Sequence, residues 1–171
     1  MQVVLLILAA LQIAQPSAPV NAVGDRFQIA VPQGWKILSS GDDVVLEHSS
    51  GASLLVVRVQ APKDLHDYAR QQAERVMAPL GFAKLSDPHD FKDVHDEWVE
   101  YQIQGNRLAD HRRVLYRALR RDTTYFSMVF EAAEDDFQAL LTDAQNIASS
   151  VQAIIQTPPA RRPPVRRVRR Q

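Results

Sequence analysis

Two stretches of the chain gather side chains that can do chemistry. The first is Asp87-Pro88-His89-Asp90-Phe91-Lys92-Asp93-Val94-His95-Asp96-Glu97, with two His and five acids in eleven residues. Imidazole and carboxylate together suit zinc or another divalent ion. His89, His95 and Glu97 are therefore the candidate metal ligands, and a metal-dependent enzyme built on this segment is the alternative to the reading reached below. The spacing is not that of a His-Glu-x-x-His helix, and Pro88 favours a loop. On an extended chain His95 and Glu97 share one face while Asp96 points the other way. A solvated acidic loop leading into a strand would need the same residues.

The second stretch is His111-Arg112-Arg113, followed by Arg117, Arg120 and Arg121. Arg113, Arg117 and Arg121 are spaced by four, so an extended strand puts them on one face. Guanidinium forks in a row can bind phosphate or carboxylate. The competing reading is a charged strand face that discourages edge pairing, with Glu97 or Glu100 as cross-strand partners. Nucleophilic catalysis has no support. Gly-x-Ser-x-Gly and Ser-x-x-Lys are absent, and His48 beside Ser49-Ser50 is adjacency, whereas a triad is a geometry. Six glycines form no phosphate-cradling loop. No catalytic residue and no cofactor is expected. The absence of cysteine excludes disulfides, thiolate metal sites and a lipid-modified cysteine anchor.

Charge is distributed unevenly over the 171 residues. Residues 157–171 contain four Pro, no acid, and Arg161, Arg162, Arg166, Arg167, Arg169 and Arg170. Residues 1–22 contain no charged side chain. The 20 Lys and Arg less those six leave 14 against 20 Asp and Glu, so the body carries a net −6. A Pro/Arg-rich stretch cannot bury apolar area, and it reads as a disordered interaction tail for anionic surfaces or polymers.

At the other end, residues 3–13 are apolar apart from Gln12. Eleven residues are too few to span a bilayer, which takes about 20, but they suit the core of an export signal. Pro16 and Pro19 follow, then Val20-Asn21-Ala22 with small residues three and one before a cleavage point. The expectation is a signal peptide over 1–22, a single domain over 23–156 and the tail over 157–171. The mature protein is then periplasmic or secreted and has no transmembrane helix. Export makes nucleic acid a poorly available partner for the tail. The partner of the domain, a protein or a small ligand, is not identified by any residue pattern.

The elements that would position these groups are legible from periodicity. Residues 26–31 alternate with Phe27, Ile29 and Val31 on one side, so they form a half-buried strand. Pro32-Gln33-Gly34 is a turn, and a short strand follows from Trp35. Residues 44–48 and 53–60 read as a hairpin. Asp64 is a helix N-cap, and Leu65, Tyr68, Ala69, Ala73, Val76, Met77 and Leu80 form one apolar stripe that ends at Gly81 as the residue after the C-cap. A short strand over 82–85 precedes the polar turn at 87–93. Residues 97–104 alternate, with Trp98 out of phase with Val99, Tyr101 and Ile103, and Gly105-Asn106 turns the chain. Residues 112–119 and 123–131 are two further strands. A second helix starts at Glu134 and carries a stripe from Phe137 through Val151 to Ile154. The fold class is α+β: a mostly antiparallel sheet with two amphipathic helices packed on it. The simplest packing is one sheet, and periodicity leaves open whether the helices share a face.

This order resembles the PsbP-like family, including its bacterial envelope members of the DcrB-like group. The resemblance is carried by Phe27-Gln28-Ile29-Ala30-Val31-Pro32-Gln33-Gly34-Trp35, then by the strand ending Tyr125-Phe126-Ser127-Met128-Val129-Phe130 and a terminal helix. It implies an α/β/α sandwich and a non-enzymatic binding or assembly module. It implies no shared active site, so no functional residue carries over.

Overall fold

The computed structural model describes residues 20–24 and 27–154. The apolar run at 3–13 and the six tail arginines lie outside the described residues. Strand β1 is Val20–Gly24 and β2 is Phe27–Val31. Phe27, Ile29 and Val31 are all buried, as their alternation requires. Gly34 turns the chain at φ 91°, a conformation that glycine adopts without a Cβ penalty. Strands β3 (Trp35–Ser40), β4 (Asp43–His48) and β5 (Ser53–Val59) follow as two hairpins. Helix α1 (Leu65–Met77) opens where Asp64 Oδ1 accepts the Asp67 N–H at 2.8 Å, so the cap read from the sequence is the cap observed. The helix stops at Ala78, itself still helical, because the next residue is Pro79, which has no N–H to donate to the carbonyl four residues back. Gly81 is therefore not the residue after the C-cap but the first residue of β6 (Gly81–Leu85).

Strands β7 (His89–Lys92), β8 (Asp96–Arg107), β9 (Asp110–Arg121) and β10 (Thr124–Ala133) complete the main sheet. Helix α2 (Glu134–Ser150) and the two-residue β11 (Gln152–Ala153) close the described chain. The main sheet has eight antiparallel strands in the order β3-β4-β5-β10-β9-β8-β6, with β7 also on β8. Period two then sorts the core. Leu115 and Leu119 of β9 join Phe126, Met128 and Phe130 of β10 under Phe137, Ala144 and Ile147 of α2. Val114, Tyr116 and Ala118 of β9 join Val99, Tyr101 and Ile103 of β8 under Leu65, Ala69 and Ala73 of α1. The helices thus lie on opposite faces, and the molecule is an α+β sandwich.

Three features depart from the expected pattern. The opening strand β2 is not in the main sheet: with β1 and β11 it forms a second, three-stranded sheet on the α2 side. Strand β1 also runs across the expected 22/23 boundary, since Val20 to Gly24 pair with Val31 to Phe27 and Ala22 is only 2% exposed. Helix α2 ends at Ser150 and not at Ile154, because the Arg121 guanidinium takes the carbonyls of Ser149 and Val151. Val151 stays buried at the start of the turn into β11.

Candidate functional site

Arg113, Arg117 and Arg121 do share one face of β9, the face toward α2, together with Leu115 and Leu119. They are not an open anion cradle. Arg117 donates through Nε to Glu100 Oε2 at 2.9 Å, and its guanidinium lies 4.6 Å over the Trp98 ring. Both members of this pair are 7% exposed. Arg121 makes a two-pronged pair with Asp96, at 2.9 and 2.7 Å, besides holding the end of α2. Arg113 donates to Gln102 at 2.8 Å and lies 4.5 Å over Phe137 of α2, with Glu134 at 3.6 Å. Arg113 and Arg121 clamp α2 to the sheet, while Arg117 ties β9 to β8. Register makes this inevitable for Arg117, because Glu100 is its direct cross-strand partner.

The acidic and His-bearing segment is ordered, and part of it is strand. Residues 89–92, expected as a loop, pair with β8: His89 faces Glu100 and Phe91 faces Trp98. Phe91 stacks on Trp98 with centroids 5.9 Å apart, which covers the out-of-phase tryptophan. His95 lies in the turn before β8, and its Nδ1 is 3.0 Å from Asp122 Oδ1. Asp93 accepts the backbone N–H groups of His95 and Asp96, and these bonds lower its pKa although it is exposed. Glu97 points to the α1 side and pairs with Lys92 at 2.9 Å and Arg120 at 3.0 Å. The structure therefore does not bring His89, His95 and Glu97 together. Among the described residues no three His or acidic groups converge on one point.

The α1 face carries a second ion cluster, in which Glu131 accepts from Arg107 at 2.9 and 3.0 Å and from Arg112 at 3.0 Å. Burial pushes the Glu131 carboxyl up, but the hydrogen bonds from the two guanidiniums outweigh it and leave the pKa below the ordinary 4.5. Glu97 is lowered chiefly by its hydrogen bond from Lys92, with burial opposing. Lowered carboxylates stabilise the fold above the unfolded value and lose that contribution as pH falls through the folded one. Urea midpoints should therefore hold near neutral pH and fall below about pH 4.5. Glu131→Gln should be less stable at neutral pH, with the gap to wild type narrowing as pH falls below about 4.5. A gap independent of pH would show that the Glu131 charge is not what holds the cluster.

No candidate named above lines the cavity of about 430 Å³ at the far end of β5, where Asp42, Arg58, Gln60, Thr123, Thr124 and Tyr125 meet. Sequence reading missed it because these residues come from three separate stretches of the chain, around Asp42, at the end of β5 and at the start of β10, and no local spacing relates them. Near the β8–β9 hairpin, Phe82 (φ 51°) and Leu108 (φ 58°) are almost fully exposed in left-handed backbone, another feature without a sequence signal. His48 Nδ1 is 3.1 Å from Ser50 Oγ and also accepts the Ser50 N–H, so the pair stabilises the β4–β5 turn. No helix among the described residues is long and apolar enough to cross a membrane.

No protein-family model and no curated protein matches this sequence. Solved structures do. Yeast Ran-binding protein Mog1p, from Saccharomyces cerevisiae, superposes with a TM-score of 0.56 at 10% identity over 80% of this chain and 97% of Mog1p. The cyanobacterial PsbP, CyanoP, of Synechocystis gives 0.52 at 18% identity over 75% of this chain and 87% of its own. LpqN, involved in cell envelope biogenesis in Mycobacterium tuberculosis, gives 0.52 at 13% identity over 84% and 88%. The fold is PsbP-like, as the opening motif implies.

Proposed function

We propose that this chain is an exported, non-enzymatic binding module of the cell envelope, in which the PsbP-like domain engages a protein or small ligand and the Arg-rich tail contacts an anionic surface. One observation carries the reading: the charged groups whose chemistry suits catalysis are paired with each other, while the tail's six arginines stand in a stretch without a single acid. Arg113 and Arg121 hold α2, Arg117 is paired with Glu100 of β8, and Glu97 and Glu131 are paired on the α1 face, so neither set surrounds a reaction space. The fold adds analogy only. LpqN is involved in cell envelope biogenesis and Mog1p is a Ran-binding protein, and the envelope and binding roles proposed here follow that analogy. A metal-dependent enzyme finds no assembled ligand set among the described residues.

Arginines near an anionic leaflet are each worth about 1 kcal/mol, and the attraction is screened within roughly 10 Å at 0.1 M salt. Vesicles containing anionic phospholipid should therefore sediment the full chain and not a chain ending at Gln156. The difference should vanish at about 0.5 M salt. Equal sedimentation of both chains would remove the tail from the proposal. Cell fractionation tests the remainder, because retention of the whole precursor in the cytoplasm would overturn export.

A further inference from the structure

If the export reading holds and cleavage follows Ala22, the cut falls inside strand β1. Val20, Asn21 and Ala22 pair with Val31, Ala30 and Ile29, whereas Val23 and Gly24 pair with Gln28 and Phe27. Cleavage after Ala22 would remove the first three and leave the last two. On its other side β2 is occupied: β11 pairs with Gln28 and Phe27, and the Ala30 N–H donates to Ser150 Oγ of α2 at 2.9 Å. Successive N–H groups along a strand alternate in direction, so those of Ile29 and Val31 point toward β1. Removing the segment takes the partners from these groups and from their carbonyls. It also uncovers apolar surface, because Ala22 is 2% exposed in the same core as Ile29, Val31, Trp35 and Leu46.

We infer that the mature protein has an open β2 edge that accepts an extended segment of a partner polypeptide. The occupant's chemistry is read from the strand already seated there: extended backbone, antiparallel to β2, with a small apolar side chain at the place of Ala22. An edge that offers unpaired backbone groups beside an apolar trough is the basis of strand addition. Backbone bonds supply the affinity, and the shallow space at Ala22 supplies the selection.

The test exports the full chain in a bacterial host and measures its intact mass. A chain beginning at Val23 is expected. A chain cut upstream of Val20 keeps β1 and overturns the open edge while export stands, whereas an uncut chain overturns the export reading itself. The Val23 chain is then titrated with a labelled synthetic peptide of residues 15–22. Saturable binding is expected, with a thermal midpoint raised by roughly 5 °C at saturation. The peptide with Ala22→Glu should bind at least about tenfold more weakly. A chain starting at Pro19 fills its own edge and should bind none. If the Val23 chain is unfolded alone, peptide-driven recovery of its circular dichroism reads the same event. Absence of both binding and recovery overturns the proposal, and so does a stable dimer of the Val23 chain that excludes the peptide, since the occupant is then a second copy.

Discussion

Arg117→Ala should be the most damaging single change in the domain, costing roughly 3–5 kcal/mol in urea unfolding. Arg117 and Glu100 are cross-strand partners on adjacent central strands, and each is 7% exposed. The guanidinium donates to Glu100 Oε2 through both Nε and Nη2 and covers the Trp98 ring. Truncating it leaves the Glu100 carboxylate, only 7% exposed, without the guanidinium that pairs with it. Set against the 5–15 kcal/mol typical of a domain, that is a large share. The pair itself is not expected to be a net source of stability, because desolvation offsets much of the Coulomb gain. Replacing both, as Glu100→Leu with Arg117→Met, should therefore recover most of the loss. A double-mutant cycle separates the two effects, since the coupling is the difference between the double variant and the summed singles. A single-variant cost below about 1 kcal/mol would show that the pair behaves as an exposed one.

The arginine row also marks how far the sequence can be read. Spacing by four was enough to put Arg113, Arg117 and Arg121 on one face, because strand alternation is local. What lies over that face is not local. The carbonyls that Arg121 holds belong to Ser149 and Val151, 28 and 30 residues on, so no window around β9 reports them. The acidic segment failed for a related reason. All four residues of β7 are exposed, so the strand shows no inside–outside alternation, and it exists only because β8 presents an edge. Strand β2 was legible as a strand from Phe27, Ile29 and Val31. Its membership of the second sheet was not, because its neighbour β11 is two residues long and lies at the other end of the chain.

Gly105 shows the same gap at a single residue, and it yields the second large prediction. Gly-Asn is a strong turn signal, yet β8 runs straight through Gly105-Asn106 and turns at Leu108-Ala109. The glycine serves packing. A Cβ placed on it would lie 2.9 Å from Leu80 Cβ, 3.2 Å from Ala83 Cβ and 3.3 Å from Ala83 Cα. None of these is the far end of a flexible side chain, so relief requires the α1–β6 connection to move away from β8. Gly105→Val should therefore cost about 1–3 kcal/mol, and Gly105→Ala somewhat less, despite the better strand propensity of both replacements. Gly41 is the control, for a Cβ there meets nothing within 4 Å, and Gly41→Ala should stay within about 0.5 kcal/mol of wild type. Adding Ala83→Gly to Gly105→Ala removes the 3.2 Å contact and should return part of the loss, so the pair should be non-additive. Additive losses would mean that the close approach of β6 to β8 is not what excludes a side chain at position 105.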